Sequence, residues 1–247
     1  MNNTELDIYI ESLISNQHSI YNQNQELIFS QVFHDTIKGS SWLPKNFPFS
    51  PGRGALGYPA LYVLYRILDE LKPNNILEMG MGQSTKMIGL YNHKHSSCIH
   101  EVVEHDPEWI SFFCNHFELP KTTHVVQLPI VEASINLGEA PTDVIIYNGF
   151  YEKFKDKKYD FICIDGPYGF NDPEYSRIDI FNILPECLNE RFVILLDDCD
   201  RLGEENTFNL IKSTLSESNI PHSSTIYQGE KGTGLIVSKD LAFMCSM

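Results

Sequence analysis

The 247-residue sequence is short of positive charge: 18 Lys and Arg stand against 33 Asp and Glu, a formal net charge of -15. A nucleic-acid binder needs a basic face to displace phosphate counterions. No Lys/Arg cluster supplies one, so nucleic acid is excluded as the expected partner and the acidity is read as a solubility feature. Long apolar runs are also missing. No stretch of about 18 apolar residues occurs, so no transmembrane helix is expected. The start, MNNTELDIYIESL, has neither the basic opening nor the apolar stretch of a secretory signal, and a cytoplasmic location follows as an expectation. The six cysteines form no C-x-x-C pair, which removes zinc spacing and a disulfide framework and leaves reduced thiols.

What is present suffices for one large core, since 42% of the residues are hydrophobic. Residues 4–33 read as one or two amphipathic helices, with Leu6, Ile10, Leu13 and Ile14 at helical spacing and Ile8 off the stripe. A Gly-, Pro- and Ser-rich loop over 38–59 is too long for a plain connector and reads as a lid or binding loop. A helix follows from Ala60 to Leu71. Strands then alternate with helices: strands at 76–79, 97–104, 124–128, 159–164 and 191–196, helices at 84–91, 107–117, 175–188 and 204–217. Two last strands, 223–227 and 233–237, are separated by only Gln228 to Gly232 and should pair antiparallel. The expected fold is therefore α/β: a Rossmann-like, doubly wound, mostly parallel sheet closed by a C-terminal antiparallel hairpin. Residues 1–53 form a helical segment and lid loop, and 54–247 the main domain.

The first informative stretch is Glu78-Met79-Gly80-Met81-Gly82-Gln83-Ser84-Thr85. Gly80 and Gly82 allow a sharp turn and close approach to a ligand, while Ser84 and Thr85 open a helix whose N-terminus suits an anion. A tight turn without a ligand explains a lone G-x-G equally well. The third glycine of a dinucleotide site is absent, which favours a ligand with a ribose and a small carboxylate. Glu104 ends the next strand, where an acid can take both ribose hydroxyls; Asp106 before Pro107 is a helix cap.

These two stretches, E-x-G-x-G-x-S-T and V-V-E-H-D-P-E-W, resemble the first two motifs of the class I methyltransferases, over roughly Gly54 to Val237. The resemblance implies S-adenosylmethionine as cofactor. It places Gly80, Gly82, Ser84 and Thr85 along the methionine half, Glu78 near its amino group, Glu104 on the ribose and His105 beside the adenine.

Strands in a parallel sheet end at one edge, so Asp165, Asp197 and Asp198 should converge beside the transferable methyl. Three crowded carboxylates are tolerable with a bound cation, and all-oxygen ligation suits Mg²⁺ or Mn²⁺, with Fe²⁺ or Ca²⁺ as alternatives. Helix capping by Asp197 or Asp198 and solvated loop acids are the alternative, but two separate strand tips both supply acids, which favours the metal. The arrangement is similar to metal-dependent O-methyltransferases of the catechol and macrolide-sugar types, whose metal ligands match Asp165, Asp197 and Asp198. Where the catechol type has a lysine, this chain has Tyr168. The expected catalytic groups are Asp165, Tyr168 and Asp198, with His222 an outside choice for the base. Arg177 and Arg201 are candidates to hold an anionic acceptor group, as is Arg53, although surface ion pairs explain each singly; His222 completes the substrate set.

The expected reaction is methyl transfer to a hydroxyl of a small acceptor, a nucleotide-linked sugar of bacterial surface-polysaccharide or natural-product synthesis being preferred; a homodimer is an expected assembly. Asp165-Gly166-Pro167-Tyr168 also sits near the D-P-P-Y loop of N-methyltransferases. Aminopropyltransferases of the spermidine synthase kind share the first two motifs. A cofactor-binding scaffold without activity is the non-enzymatic alternative.

Overall fold

The computed structural model describes residues 3–52, 54–137, 141–169 and 174–246. A seven-stranded sheet forms its centre, made of β1 (Asn75–Met79), β2 (Ile99–Glu104), β3 (Thr123–Gln127), β6 (Tyr159–Ile164), β7 (Leu188–Leu196), β8 (His222–Gln228) and β9 (Gly232–Ser238). Its order is β3-β2-β1-β6-β7-β9-β8. The first five are parallel, and β9 pairs antiparallel with both β7 and β8. The doubly wound sheet with its closing hairpin is thus present. Between β3 and β6 a second, two-stranded antiparallel sheet, β4 (Ile130–Asn136) and β5 (Pro141–Tyr147), was not anticipated.

The strand runs Ile162–Ile164 and Val193–Leu196 are buried throughout, as expected of a sheet covered on both faces. Helices α2 (Tyr58–Arg66) and α3 (Gln83–Lys94) contribute Leu61, Leu64, Met87 and Ile88 to one core, together with Ile76, Phe161, Val193 and Leu235. Helix α6 (Leu202–Glu217) supplies Phe208, Ile211 and Leu215 to a second core with Leu77, Ile162 and Ile194. Helix α4 (Pro107–His116) is capped as read: the Asp106 carboxylate accepts from Glu108 N and Trp109 N. A short α5 (Phe150–Phe154) precedes β6.

Two local expectations are corrected. The helix placed near 175–188 is a short 3-10 helix, Ile178–Asn182, followed by turns; Pro185 has no N–H for a helical bond and its ring crowds the preceding turn. The helix read to Leu71 changes after Arg66 into a π-helical turn, Ile67–Leu71, ending on Lys72 at φ 52°. The N-terminal segment is one helix, α1 (Asn3–Thr36). Phe33 near its end, and Trp42 and Leu43 in the following loop, are buried in the same core as β1 and β7 residues.

Candidate active site

Strand register builds the site. Met79 of β1 pairs with Val103 and with Ile164, and Ile164 pairs with Leu196. Gly80, Glu104, Asp165 and Asp197 each follow one of those residues, so all four emerge at the same carboxyl edge. Strand order reverses there: β2 lies on one side of β1 and β6 on the other, the position where open α/β sheets bind ligands. A cavity of about 270 Å³ opens at this edge, lined by Gly80, Met81, Gly82, Gln83, Glu104, His105, Trp109, Tyr147, Asp165 to Tyr168, Arg177, Asp198, Arg201 and Lys231. Gly54 and Ala55, from the loop read as a lid, line it too. Arg53 and residues 170–173 of the loop after Tyr168 lie outside the described residues.

Gly80 is required by its surroundings. Its φ is +92°, and a Cβ there would meet the Asp165 carbonyl oxygen at 2.8 Å. A Cβ on Gly82 would meet no protein atom within 4 Å, so this glycine borders open space. Glu104 is nearly buried: one oxygen accepts from His105 N at 2.7 Å and Asp106 N at 3.0 Å, the other from Met81 N at 3.1 Å. His105 Nδ1 lies 2.8 Å from the same carboxylate, and its ring meets Tyr168 edge-on at 5.7 Å. Tyr168 is 39% exposed. The Trp109 indole N–H donates to Met81 O at 2.8 Å, which fixes the ring over the glycine turn.

Other expected cofactor residues are placed elsewhere. Glu78 is fully buried and bonds His100 Nε2 at 2.9 Å inside the sheet; it does not line the cavity. Its neighbour in register is Val102, and His100 lies on that same strand face two residues further from the carboxyl edge, so the bond to His100 holds the Glu78 side chain back from the cavity. Ser84 and Thr85 are also buried behind the cavity wall. Thr85 Oγ1 accepts from Gly82 N at 2.9 Å, which fastens the helix start. His222 sits at the opposite edge of the sheet, because it pairs with Ser238 while Gly234 lies beside Leu196.

Asp165, Asp197 and Asp198 do converge, with one oxygen from each within 4.8 Å of the others. They are not left to repel one another. The Arg177 guanidinium reaches Asp198 at 2.7 Å and Asp165 at 3.1 Å, and donates to Asp197 O at 2.9 Å. Lys231 Nζ stands between Asp197 at 3.1 Å and Asp198 at 2.9 Å. Arg201 reaches Asp198 at 3.0 Å, and Glu204, buried beside both arginines, balances them. The expectation that an added cation is needed to make the crowding tolerable is therefore corrected: three cations of the chain itself compensate the charge. Arg177 is 4% exposed in its side chain, so it belongs to this network and not to a surface ion pair.

Burial raises the Asp165 carboxyl to about 7, against the opposing pull of Arg177. Burial raises Asp197 as well. For Asp198 burial acts upward too, but Arg177 and Lys231 outweigh it and hold its carboxyl below the usual range. With three cations on its two oxygens, Asp198 is poorly suited to act as a base, contrary to its expected role. Asp197 Oδ1 is buried without a hydrogen-bond partner, so the donor set still has an oxygen that suits a small hard cation. Lys231 on the β8–β9 turn, Tyr147 at the end of β5 and Glu204 on α6 were missed from sequence. Lys231 and Tyr147 are brought in by elements distant along the chain, Glu204 lies only three residues after Arg201, and none of the three lies in a motif.

No protein-family model and no curated protein sequence matches the chain. Solved structures do. A Klebsiella pneumoniae protein described as an O-methyltransferase aligns over 88% of this chain and 99% of its own, with TM-score 0.52 and 12% identity. Podospora anserina methyltransferase PaMTH1, bound to SAH, covers 97% of this chain and 98% of its own at 14% identity and TM-score 0.49. The Streptomyces achromogenes O-methyltransferase TomG, with SAM, covers 96% and 99% at 14% identity and TM-score 0.47. The chain has the Rossmann-like fold of class I methyltransferases.

Proposed function

We propose that the protein is an S-adenosylmethionine-dependent O-methyltransferase acting on a hydroxyl of a small acceptor. One observation carries this reading: the glycine turn at Gly80–Gly82, Glu104 and the Asp165–Tyr168 segment face a single cavity at the strand-order reversal. Glu104 and His105 would hold the ribose and adenine side, and the open space beside Gly82 would take the methionine side. The acceptor would enter between Tyr168, Arg201 and Lys231. Holding its hydroxyl in line with the sulfonium methyl supplies much of the rate. Asp165 and Tyr168 line the cavity on the acceptor side and would accept the hydroxyl proton.

Asp165, Asp197 and Asp198 would hold a divalent ion, Mg²⁺ or Mn²⁺, through Asp197 Oδ1 and its neighbours once Lys231 gives up its place between Asp197 and Asp198. A bound ion would lower the pKa of an acceptor hydroxyl. A nucleotide-linked sugar of bacterial surface-polysaccharide or natural-product synthesis is the preferred acceptor, because Arg201 and Lys231 offer donors to a polyoxygenated, anionic molecule. Residues 1–53 would serve as helical segment and lid, and no helix among the described residues is long and apolar enough to cross a membrane.

The test is calorimetric titration with S-adenosylmethionine, followed by methyl transfer from labelled cofactor to a panel of nucleotide sugars. Binding followed by a labelled methyl ether supports the proposal. Absence of cofactor binding at millimolar concentration would overturn it. Preference for the decarboxylated cofactor would indicate aminopropyl transfer, and labelled amine products would indicate N-methylation.

A further inference from the structure

Helix α1 runs for 34 residues, but among its described side chains only those toward its end are anchored. Phe29 and Phe33 pack on Tyr62 and Tyr58, and the Glu26 carboxylate accepts from Tyr58 N and Glu230 N. Every described side chain from Leu6 to Tyr21 is exposed. Most helical stability in proteins comes from packing rather than propensity, and Ser12, Ser15, Asn16, His18 and Ser19 are weak helix formers, so propensity does not sustain this stretch. Packing against something must do so.

The apolar residues specify the partner's shape. Leu6, Leu13, Ile20 and Leu27 recur every seven residues, with exposures of 43%, 46%, 58% and 69%. Ile14, Tyr21 and Ile28 repeat at the same interval beside them, also exposed. With Ile10, Gln17 and Asn24 at the intervening positions, this is the spacing of a two-helix seam, and polar residues at the intervening position set register. A strict seven-residue period is what a second helix reads; a flat surface does not need it.

Charge selects among helices and membranes. No Lys or Arg precedes Lys38, so anionic lipid would find no cation on this arm. Residues 12–25 contain no acid either, in a chain of net charge -15. Two copies can therefore approach along this stretch without the repulsion their bodies would otherwise exert. From Leu6 to Ile28 the helix spans about 33 Å and is about 10–12 Å across. Its contact strip is roughly 350 Å² in projection and about twice that in accessible surface, close to the roughly 800 Å² per partner of a stable interface.

We propose that the exposed seam of α1 pairs with the same helix of a second copy of this chain. Sedimentation of the full chain at micromolar concentration should give twice 28.3 kDa. The double variant Leu13→Glu/Ile20→Glu should sediment as the monomer while binding S-adenosylhomocysteine within twofold of the parent. Gln17→Leu, which fills a polar gap in the seam, should tighten the dimer at least tenfold. A parent chain that stays monomeric at tens of micromolar overturns the proposal. So does a dimer untouched by the double variant, or co-sedimentation of the monomer with phosphatidylserine vesicles through these same residues.

Discussion

Arg177 donates to Asp198 across 2.7 Å with both side chains almost wholly buried. The pair is the hub of the site, because the same guanidinium also reaches Asp165 and the Asp197 carbonyl. Removing one partner of a buried pair leaves an uncompensated charge, which costs about 3–5 kcal/mol. Arg177→Met should lose stability on that scale in urea denaturation. Arg177→Lys keeps the charge but loses the planar fork, and should recover only part. Wild-type stability in Arg177→Met would show that the network contributes little.

Gly80 tests the turn. Its φ of +92° and the Asp165 carbonyl at 2.8 Å from any added Cβ make Gly80→Ala strained on two counts. A backbone held in such a region costs on the order of 1–3 kcal/mol. The variant should melt lower and also lose cofactor affinity, since Asp165 must shift. An unchanged melting temperature would mean that the turn relaxes freely.

Glu104 holds three backbone N–H groups that shape the turn, and its carboxylate lines the cavity. Glu104→Gln exchanges one accepting oxygen for an amide nitrogen and removes the charge that would meet a ribose. Its affinity for S-adenosylhomocysteine should fall about 10- to 100-fold by calorimetry, in the range of one lost charged hydrogen bond. Adenosine should weaken in step, because it carries the same ribose. Equal affinity for parent and variant would remove Glu104 from the binding role.

Much of this edge was legible in the sequence, and the reasons are local. Gly80, Asp165 and Asp197 sit one residue beyond their strands and Glu104 ends its own, so finding the strands found the edge. What the sequence hid was decided by side-chain partners and by distance. Glu78 is two residues from Gly80, yet it faces His100 inside the sheet. Lys231 arrives on a hairpin turn whose pairing partner, β7, ends more than thirty residues earlier. The charge balance of the three aspartates could not be judged without it. β4 carries the alternating pattern of a strand in IVEASIN, but more than half of its residues are exposed and no strongly apolar run marks it out between the strands at 124–128 and 159–164.

Asp179 gives the pH dependence a sign. It is buried, one oxygen accepts from Tyr147 N at 2.8 Å, and the other has no partner. Burial raises its carboxyl to about 7, well above an unfolded aspartate near 3.9. A carboxyl raised in the folded state binds its proton more tightly there. Its contribution is fully present below pH ~4 and is lost as pH climbs toward 7, levelling above that. The span is on the order of 2–4 kcal/mol. Asp179→Asn keeps an acceptor for Tyr147 N and has no charge to bury. In urea denaturation it should match or exceed the parent at pH 8 and show a flatter profile between pH 5 and 7. A parent profile that rises over that interval, with the variant parallel to it, would mean that Asp179 stays ionised.

Lys231 and a divalent ion contend for the same seat. The ammonium lies between Asp197 Oδ2 and Asp198 Oδ1, two of the three carboxylates that would ligate the ion. A cation at each place, a few ångströms apart in a partly buried site, would repel strongly. Lys231→Met removes the competitor and keeps most of the side-chain volume. Manganese titrated calorimetrically should therefore bind this variant about 10- to 100-fold more tightly than the parent, a difference of roughly 1.4–2.8 kcal/mol at 1.4 kcal/mol per tenfold. Lys231→Arg should bind no better than the parent. Equal manganese affinity in parent and Lys231→Met would show that the ammonium does not hold the ion's place. No binding to either would leave Arg177, Arg201 and Lys231 as the only cations of the site among the described residues and would remove the ion from the proposed reaction.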